Sequence, residues 1–516
     1  MGLRVVHAKV SDIPDDPGGG FVKPSDWNAD HTIEGAGSAA EADVGDFATA
    51  AQGAFATKAL AAAFTPATAP DWIRTEGHTA AGDGGGALYK KAASEPSHDG
   101  KFSISAGGTV WYELAEVAPN EVMFGGVTTA SNATRTAAIQ SLLTYCAVTP
   151  LKKAHIVNSH TITSKITIPA NVDIEGNAAF GRSLTKGFSG DMFDVNGGSQ
   201  IYNLGLAGAG ATYTGRGFHV IDGNDQIFHR VRAEDFAGAC IEYDNGEGIR
   251  SKVKDCFLQR TTITDPAIVY PATDASSTGR RIESVDTGGG TLANLGGVDN
   301  IGIFDCDCTN IVFTSSTKKA KVVGNRIANG AIPVTVDVLG TDHSFVGNIF
   351  SGAVTIGGTT IRFDDSNIVA AGSLSDTSGG ATNFIDIPVQ SYTPTWKGDS
   401  SDPSLGDGTI SGNWARKGKK ITQSVYLTMG STTTYGTGNW YFQLVFGTAV
   451  KNRVTNQVIG FDNGTAFRVG AAVISSTSSP KIYMISNDGT NNWAPSRPHT
   501  WASGDYLYFT IEYELA

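Results

Sequence analysis

Three aspartates are the best candidates for acid–base chemistry: Asp286, Asp307 and Asp305. Hydrolysis of a glycosidic bond needs two carboxyl groups, about 5 Å apart in retaining enzymes and about 6.5–9.5 Å apart in inverting ones. Asp286 and Asp307 each follow a small polar residue by two positions, and Asp305 is itself such a residue. On neighbouring strands, about 4.8 Å apart, the pair would match the shorter spacing. The alternative is that these aspartates cap turns by binding backbone amides.

A second acidic group lies in the stretch IEYDNGEG and comprises Glu242, Asp244 and Glu247. Its glycine and asparagine favour a loop between strands over a catalytic or metal-binding role. Cleavage by elimination would need a base near a cation. The candidates are His229 with Tyr243, or Arg280 with Arg281. Their spacing in the sequence does not favour either pair. The chain has no G-x-S-x-G motif, so nothing supports an esterase.

Aromatic side chains in the last third of the chain are candidates for stacking on the apolar face of a sugar ring. We expect at least three of the tryptophans to lie in a core. Trp493, in the polar stretch SNDGTNNWAPSRP, is the one we most expect to be exposed. The candidate glycan-binding residues are Trp493, Trp396 and Trp414.

The sequence predicts no cofactor and no metal site. Its five cysteines are too few and too scattered for a disulfide framework. Cys306 and Cys308 lack the second pair of ligands that a metal site would need. We therefore expect the cysteines to be small buried side chains. The glycine-rich stretch Gly82–Lys90 lacks the Gly-Lys-Ser/Thr ending of a phosphate loop. It predicts a tight turn that enters a strand.

The elements that must position these residues are short strands in a repeat. From Pro150 an aliphatic residue is followed two positions later by a small polar one, at intervals of about 24 residues. Such repeats without intervening helices predict a parallel β-helix, and a β-sandwich with long loops is the alternative. The repeats are Ile201–Asn203, Ile227–His229, Val253–Asp255, Ile282–Ser284, Ile303–Asp305, Val323–Asn325 and Val346–Asn348.

The rest of the chain divides by composition. The composition predicts a linker or docking segment in residues 1–70, a compact block in residues 71–120, a helix and the β-helix in residues 121–388, and an antiparallel β-sandwich in residues 389–516. The helix is predicted from Ala133, Ala137, Ala138, Leu142, Leu143 and Cys146, with Asn132 as its cap.

Charge and hydropathy exclude several classes of protein. The 38 basic and 50 acidic residues give a net charge of −12, which argues against nucleic acid as the main partner. No apolar run reaches the length of a membrane span, and the first ten residues lack the apolar core of a signal peptide, so we expect synthesis in a cytoplasm and no membrane insertion.

Four stretches resemble bacteriophage tailspikes and tail fibres. They are PSDWNADH at Pro24–His31, the block Asp71–Leu114, NATRTAAIQSLL at Asn132–Leu143 after Phe124–Gly126, and Tyr392–Ile421 with Pro498–Glu514. The helix resembles the cap of pectate-lyase-like β-helices, although GVTTASNATRTAAIQ lacks the acidic residues that often open that motif. The resemblance implies an all-β fold with a right-handed parallel β-helix, a small head domain and a C-terminal phage-fibre β-sandwich.

The same resemblance implies a virion protein that binds bacterial surface polysaccharide. A receptor-binding spike is the leading interpretation, a polysaccharide depolymerase (a glycoside hydrolase or a lyase acting on the β-helix) is the second, and a purely structural baseplate or tail component is the third. We further expect a homotrimer, because an isolated β-helix leaves apolar faces and a sheet edge to cover. The expected partners are phage tail or baseplate proteins at the N-terminus and host glycan.

Overall fold

The computed structural model describes residues 4–7, 31–34, 54–177, 184–222, 224–244, 249–262, 265–270, 279–327, 336–369, 374–377, 383–445, 449–474, 476–478, 481–487, 489 and 491–516. The chain forms two compact units, residues 1–130 and 131–516. The predicted attachment segment, residues 1–70, lies outside the described residues except for 4–7, 31–34 and 54–70. In the described part of the chain, no helix is long and apolar enough to cross a membrane.

The first unit contains a mostly antiparallel five-stranded sheet. In spatial order its strands are Ala54–Phe55, Trp72–Thr75, Leu88–Lys91, Thr109–Leu114 and Lys101–Ser105. Helix α1 (Lys58–Ala62) and a 3-10 helix (Glu121–Phe124) accompany it, and Arg4–His7 pairs with His31–Glu34 in a separate antiparallel ribbon.

The glycine-rich stretch is a structural turn, as predicted. The carboxylate of Asp83 accepts hydrogen bonds from the backbone amides of His78, Thr79, Ala80 and Gly85. Burial disfavours the charged carboxylate, but these bonds outweigh it and lower the pKa of Asp83 to about 2. The turn leads into the strand Leu88–Lys91.

The second unit begins with helix α2 (Asn132–Val148). Its cap is Ser131, whose Oγ accepts a hydrogen bond from the backbone amide of Thr134, so the prediction of Asn132 as cap is wrong by one residue. The side chain of Gln140 binds both backbone groups of Thr167 in the first coil of the β-helix, at 3.0 and 2.8 Å. The helix therefore packs on the first coil.

Parallel strands then wind through three faces, which we call faces 1, 2 and 3 in the order in which each coil visits them. Face 1 is one sheet of eleven strands; face 2 holds sheets of five and four strands, and face 3 sheets of seven and three. On face 1 the strands are Lys153–Ile156, Asp173–Gly176, Gln200–Tyr202, Ile227–His229, Lys252–Lys254, Arg280–Glu283, Ile301–Phe304, Lys321–Val323, Ser344–Val346, Arg362–Phe363 and Phe384–Ile385.

The strands of face 2 are His160–Ile162, Leu184–Lys186, Gly205–Ala207, Arg232–Phe236, Phe257–Arg260, Asp307–Cys308, Arg326–Ile327, Ile349–Phe350 and Ile368–Val369. The strands of face 3 are Ile166–Ile168, Phe193–Val195, Phe218–Val220, Ile241–Tyr243, Ile268–Val269, Thr291–Asn294, Asn310–Val312, Val336–Val338, Val354–Ile356 and Leu374–Asp376. The predicted parallel β-helix is confirmed.

One buried row along face 1 sets the register of the coils. Its side chains pair in succession and are almost wholly buried; they are Ile174, Ile201, Phe228, Val253, Ile282, Ile303, Val322, Phe345, Phe363 and Ile385. Four predicted repeat positions belong to it. The other three, Ile227, Val323 and Val346, are each one residue away from the buried position.

Two positions after this row the chain turns through the left-handed region. Asn203, Asp255, Ser284 and Asp305 all have φ of 52° there, and Gly324 and Gly347 follow in the next coils. Side chains with a Cβ rarely adopt this conformation, and asparagine, aspartate and glycine tolerate it best. Four small polar residues of the repeat, Asn203, Asp255, Ser284 and Asp305, are therefore explained by the turn that they make.

Residues 387–516 form a single antiparallel sheet of nine strands, which we call the C-terminal sheet. Its spatial order is Ile387–Tyr392, Thr409–Lys417, Lys420–Thr428, Tyr506–Glu514, Val454–Asp462, Ala466–Ile474, Lys481–Ser486, Trp440–Gln443 and Trp396–Gly398. The edge strand that carries Trp396 and the central strands bury their side chains in one core. The predicted antiparallel domain is confirmed, as one sheet curled around its core rather than two separate layers.

All five cysteines are buried, as expected, and all five are free thiols. Burial raises the pKa of the Cys240, Cys256 and Cys306 thiols to about 12. Such thiols stay protonated at neutral pH and act as small apolar side chains.

Candidate functional site

The structure places Asp286 and Asp307 side by side on neighbouring coils, joined by a parallel bridge. Both side chains are exposed, and so is Asp305. The sequence-based alignment of the two coils is therefore confirmed.

Their contacts are those of turn and surface residues. The Oδ1 of Asp286 accepts a hydrogen bond from the backbone amide of Gly288 at 2.7 Å. Asp307 forms an exposed ion pair with Arg326, with Oδ2 at 3.2 Å from Nη1. Asp305 adopts the left-handed turn conformation. These contacts fit the turn-capping alternative, and catalysis by the three aspartates stays a prediction.

The candidate bases differ in exposure. His229 is partly exposed, with Nε2 at 3.0 Å from Oδ2 of Asp255. Tyr243 is buried, and burial raises the pKa of its phenol to about 12. A buried phenol with this pKa holds its proton at neutral pH, which disfavours Tyr243 among the candidate bases. Arg280 is also buried, with its guanidinium 4.7 Å from the ring centre of Tyr270.

A group of charged side chains on the outer side of face 3 was only partly recognised from sequence. Asp194, His219 and Glu242 occupy paired outward positions on three successive strands. Asp191 and Arg216 precede the first two of these strands, Asp244 follows the third, and Lys165 lies beside Asp194. We call these seven residues the acid–histidine cluster.

Arg216 holds two carboxylates of this cluster. Its Nε and Nη2 donate to the two oxygens of Asp191, both at 2.9 Å, and its Nη1 donates to Oε1 of Glu242 at 2.7 Å. Burial alone would raise the pKa of Asp191, but the hydrogen bonds from Arg216 prevail and lower it. Asp191 is therefore held in its ionised form.

His219 lies between carboxylates on both sides of its ring. Its Nε2 is 2.8 Å from Oδ1 of Asp244, and its Nδ1 is 3.5 Å from Oδ1 of Asp194. Asp194 is buried and contacts Lys165, whose pKa is raised by the hydrogen bond to that carboxylate. An imidazole so placed can pass a proton between the partly exposed Asp244 and the interior of the cluster.

The cluster holds four carboxylates against two cations, and this excess suits a transition state that gains positive charge, as in glycoside hydrolysis. Carboxylate oxygens of Asp191 and Asp194 approach within 4.8 Å of each other and of a His219 nitrogen. The same atoms could surround a metal ion, but the guanidinium of Arg216 already occupies both oxygens of Asp191 and would have to be displaced. The arrangement is therefore better suited to acid–base chemistry than to metal binding.

Sequence reasoning identified Glu242 and Asp244 but missed Asp191, Asp194, Arg216 and His219. Asp194 and His219 are 25 residues apart, and no local motif connects them. Only the register of face 3 brings them together. Glu247 lies outside the described residues.

The tryptophans mostly form core. Trp493 is fully buried and Trp396 is 8% exposed, so the expectation that Trp493 is exposed is wrong. The backbone explains it, since the amide of Trp493 donates to Met484 and its carbonyl accepts from Trp440. Trp440 and Trp501 are buried as well, which confirms that at least three tryptophans lie in the core. Trp414 is half-buried, and its role in glycan binding stays a prediction.

Comparison with known proteins gives one curated relative. Over 126 residues, which make up 24% of this chain and 20% of the relative, the chain is 28% identical to the Mu-like prophage FluMu defective tail fiber protein of Haemophilus influenzae. The match thus spans about a fifth of the relative's length. No family model matches the chain.

Solved structures with a similar course of the chain include the tailspike gp49 of Acinetobacter baumannii bacteriophage Fri1, a capsular polysaccharide depolymerase (TM-score 0.42, 11% identity, 90% of this chain and 98% of that one). Another is tailspike protein 2 of Escherichia coli O157:H7 bacteriophage CAB120 (0.40, 14%, 92% and 76%). A third is Pantoea stewartii WceF, a glycan biofilm modifying enzyme with a tailspike-like parallel β-helix (0.41, 10%, 89% and 70%).

Proposed function

We propose that this chain is a receptor-binding spike or fibre of a phage tail that attaches the virion to a bacterial surface polysaccharide. The observation that carries the proposal is the similarity to a prophage tail fibre protein over 126 residues. The long β-helix supports it, because its flat outer faces present rows of polar and charged side chains from successive coils to solvent. Attachment to tail or baseplate proteins through residues 1–70, assembly in the host cytoplasm and residence in the virion belong to the same proposal.

Binding of the purified chain to capsule and lipopolysaccharide from candidate host strains tests it. We expect saturable binding to one of them, and competition by free chain against adsorption of the phage. Binding to virion proteins alone, with no glycan bound from a strain that the phage infects, would instead support the purely structural tail component.

Cleavage of the bound glycan is the second candidate function, and the acid–histidine cluster is the observation that favours it. In this proposal Asp191, held ionised by Arg216, stabilises the positive charge that develops at the sugar. The pair formed by His219 and Asp244 donates a proton to the leaving oxygen, and water completes the hydrolysis. The excess of carboxylates favours hydrolysis over elimination, which needs a free cation beside a uronate.

Incubation with capsule or lipopolysaccharide, followed by reducing-end measurement, tests the second candidate. We expect Asp191→Asn and Asp244→Asn to abolish the release of reducing ends while glycan binding persists. Asp286→Asn and Asp307→Asn are matched controls on the same β-helix and should retain activity. Loss of activity in these controls alone would place the reaction at the pair predicted from sequence. An unchanged chain length with wild-type protein would reject cleavage and leave binding intact.

A homotrimer completes the proposal. Its support is the outer face of the C-terminal sheet, which carries an exposed band of aromatic and aliphatic side chains. An antiparallel sheet with one face on its core normally presents polar residues to water on the other.

A further inference from the structure

A row of outward side chains runs along face 1 to the end of the β-helix. Lys321, Ser344, Arg362 and Phe384 occupy paired positions on its last four strands, while Phe363 and Ile385 beside them point into the core. Lys321 and Arg362 are exposed, and 58% of Phe384 is exposed. No carboxylate of the described residues lies within 4.0 Å of the Lys321 or Arg362 charge. Within the described part of the chain, the row therefore presents two cations without an ion-pair partner and a largely exposed aromatic ring.

This row ends at a cleft of about 800 Å³ between the last coil and the C-terminal sheet. Its walls include Phe384, Tyr513 and the turn of Lys417 and Lys419. Both lysines lack an ion-pair partner within the described part of the chain.

The acids that line the cleft already have partners. Glu512 is 2.6 Å from Lys420, and Glu514 is 2.8 Å from Lys451. Asp386 accepts a hydrogen bond from the backbone amide of Gly418 at 2.6 Å. The backbone amide leaves the negative charge of Asp386 in place, but Lys417 and Lys419 in the cleft and Lys321 and Arg362 in the row outnumber it, in a chain whose net charge is −12. This local reversal of charge points to an anionic ligand.

We propose that the cleft and the adjoining row bind an acidic segment of a polysaccharide, whose sugars carry carboxylate groups. Phe384 would stack on the apolar face of one sugar ring, and Lys417, Lys419 and Arg362 would pair with its carboxylates. The inference rests on the proposed glycan-binding function and adds the chemical class of the glycan and a site away from the acid–histidine cluster. A long nucleic acid fits less well, because the acidic remainder of the chain repels it and, among the described residues of the row and the cleft, Phe384 alone offers an exposed ring for stacking.

The test compares one glycan in two charge states. Oligosaccharides of a uronate-containing capsule are used directly and after chemical reduction of their carboxyl groups to alcohols, with the full chain and calorimetric detection. We expect the carboxylated form to bind at least tenfold more tightly, and its affinity to fall with added salt.

Two variants locate the site. Lys417→Gln combined with Lys419→Gln should weaken binding of the carboxylated glycan about tenfold and leave the reduced glycan unaffected. Phe384→Ala should weaken binding of both forms. Lys91→Gln, an exposed lysine of the first unit, is the matched control and should change neither. Melting temperatures equal to wild type exclude misfolding as the cause.

Three outcomes would overturn the inference. Equal binding of the carboxylated and reduced forms would show that charge is not recognised, while the proposed receptor function would stand. Unchanged affinity in both variants would place acidic glycan elsewhere. Tighter binding of single-stranded DNA than of any glycan at the same sites would identify a nucleic-acid site. Failure of all glycans from a phage-sensitive strain to bind would instead reject the proposed function itself.

Discussion

Variants of Asp305 can distinguish a structural role in the turn from a role in catalysis. Its φ of 52° is shared by Ser284 in the preceding coil. Glycine adopts this conformation freely, whereas a β-branched residue does not. We therefore expect Asp305→Gly to leave stability and any depolymerase activity unchanged, and Asp305→Val to cost about 1–2 kcal/mol of folding free energy. Urea unfolding with parallel reducing-end assays measures both.

Ser284→Val is the matched control and should show the same cost, since its backbone is the same. Loss of activity in Asp305→Gly at full stability would contradict the turn role and identify Asp305 as part of a catalytic site.

His343 is expected to make the stability of the β-helix depend on pH. It is buried; its Nδ1 accepts a hydrogen bond from the amide of Ala320 at 3.0 Å, and its Nε2 donates to the carbonyl of Leu339 at 2.8 Å. Burial lowers its pKa from 6.5 to about 4. Between these values the unfolded chain binds more protons than the folded one, so stability falls as pH falls from about 6.5 to about 4, by on the order of 3 kcal/mol.

Replacement by an amide removes this titration. Two coils further on, Asn383 makes the corresponding bond, accepting from the amide of Ile361 at 2.9 Å. His343→Asn should therefore fold. The dependence of its unfolding free energy on pH should be weaker than that of the wild type by the uptake of about one proton. Urea unfolding at several pH values between 4 and 7 measures the slope, and identical slopes in variant and wild type would contradict the assignment.

At the scale of elements, Arg416 joins the C-terminal sheet to the β-helix. Its side chain is wholly buried, with Nη1 at 2.9 Å from Oδ2 of Asp376 on face 3 and Nη2 donating to the carbonyl of Asn383 at 3.0 Å. Removal of one partner from a buried pair leaves an uncompensated charge. We expect Arg416→Met to destabilise the chain by about 3–5 kcal/mol.

Fluorescence of the buried tryptophans during urea unfolding measures this loss. Adding Asp376→Leu should recover a substantial part of it, because the remaining buried charge disappears. A double variant as unstable as the single one would show that the pair contributes through packing alone.

The sequence predicted the coils better than the site. The coils are marked by a repeat that is visible in the local sequence, whereas the site depends on which residues of neighbouring coils are paired. Inward aliphatic residues recur at every coil, so Ile201, Val253 and Ile282 could be aligned directly. The assignment slipped by one where two apolar residues are adjacent, as at Ile227–Phe228 and Val322–Val323, because either can serve as the inward side chain. Coil lengths also vary, from 29 residues between Val253 and Ile282 to 18 between Phe345 and Phe363.

This variation hid the acid–histidine cluster. Asp194 and His219 become neighbours only when the register of face 3 is known, and the described residues of face 3 carry no polar repeat comparable to the turn residues of face 1. Trp493 was misplaced for a similar reason. Its polar neighbours in sequence indicated a surface loop, whereas backbone pairing with the nearby Met484 and with Trp440, 53 residues earlier, places it in the core.

At the scale of the whole molecule, the outer face of the C-terminal sheet is the surface that most needs a partner. Tyr426, Tyr508, Val469 and Phe467 are 43–63% exposed and lie on three strands, and a fourth strand between them carries Phe461. Half-buried Phe461 and Tyr506 link them, with ring centres 4.9 Å apart. The band runs across four neighbouring strands, and an exposed apolar surface of this width suits a protein interface. A second copy of the chain is the occupant that a homotrimer supplies.

The trimer and this surface are tested together. Wild-type chain should sediment as three copies of 53.8 kDa. Tyr508→Lys combined with Val469→Lys should dissociate the assembly, because each lysine places a charge in an apolar contact and like charges from neighbouring copies then face one another. Thr510→Lys, at the next outward position of the same strand, lies at the polar end of the face and should leave the trimer intact. A monomeric wild-type chain would reject self-association. A double variant that still sediments as a trimer would show that the interface lies on another surface, for which the faces of the β-helix are the next candidates.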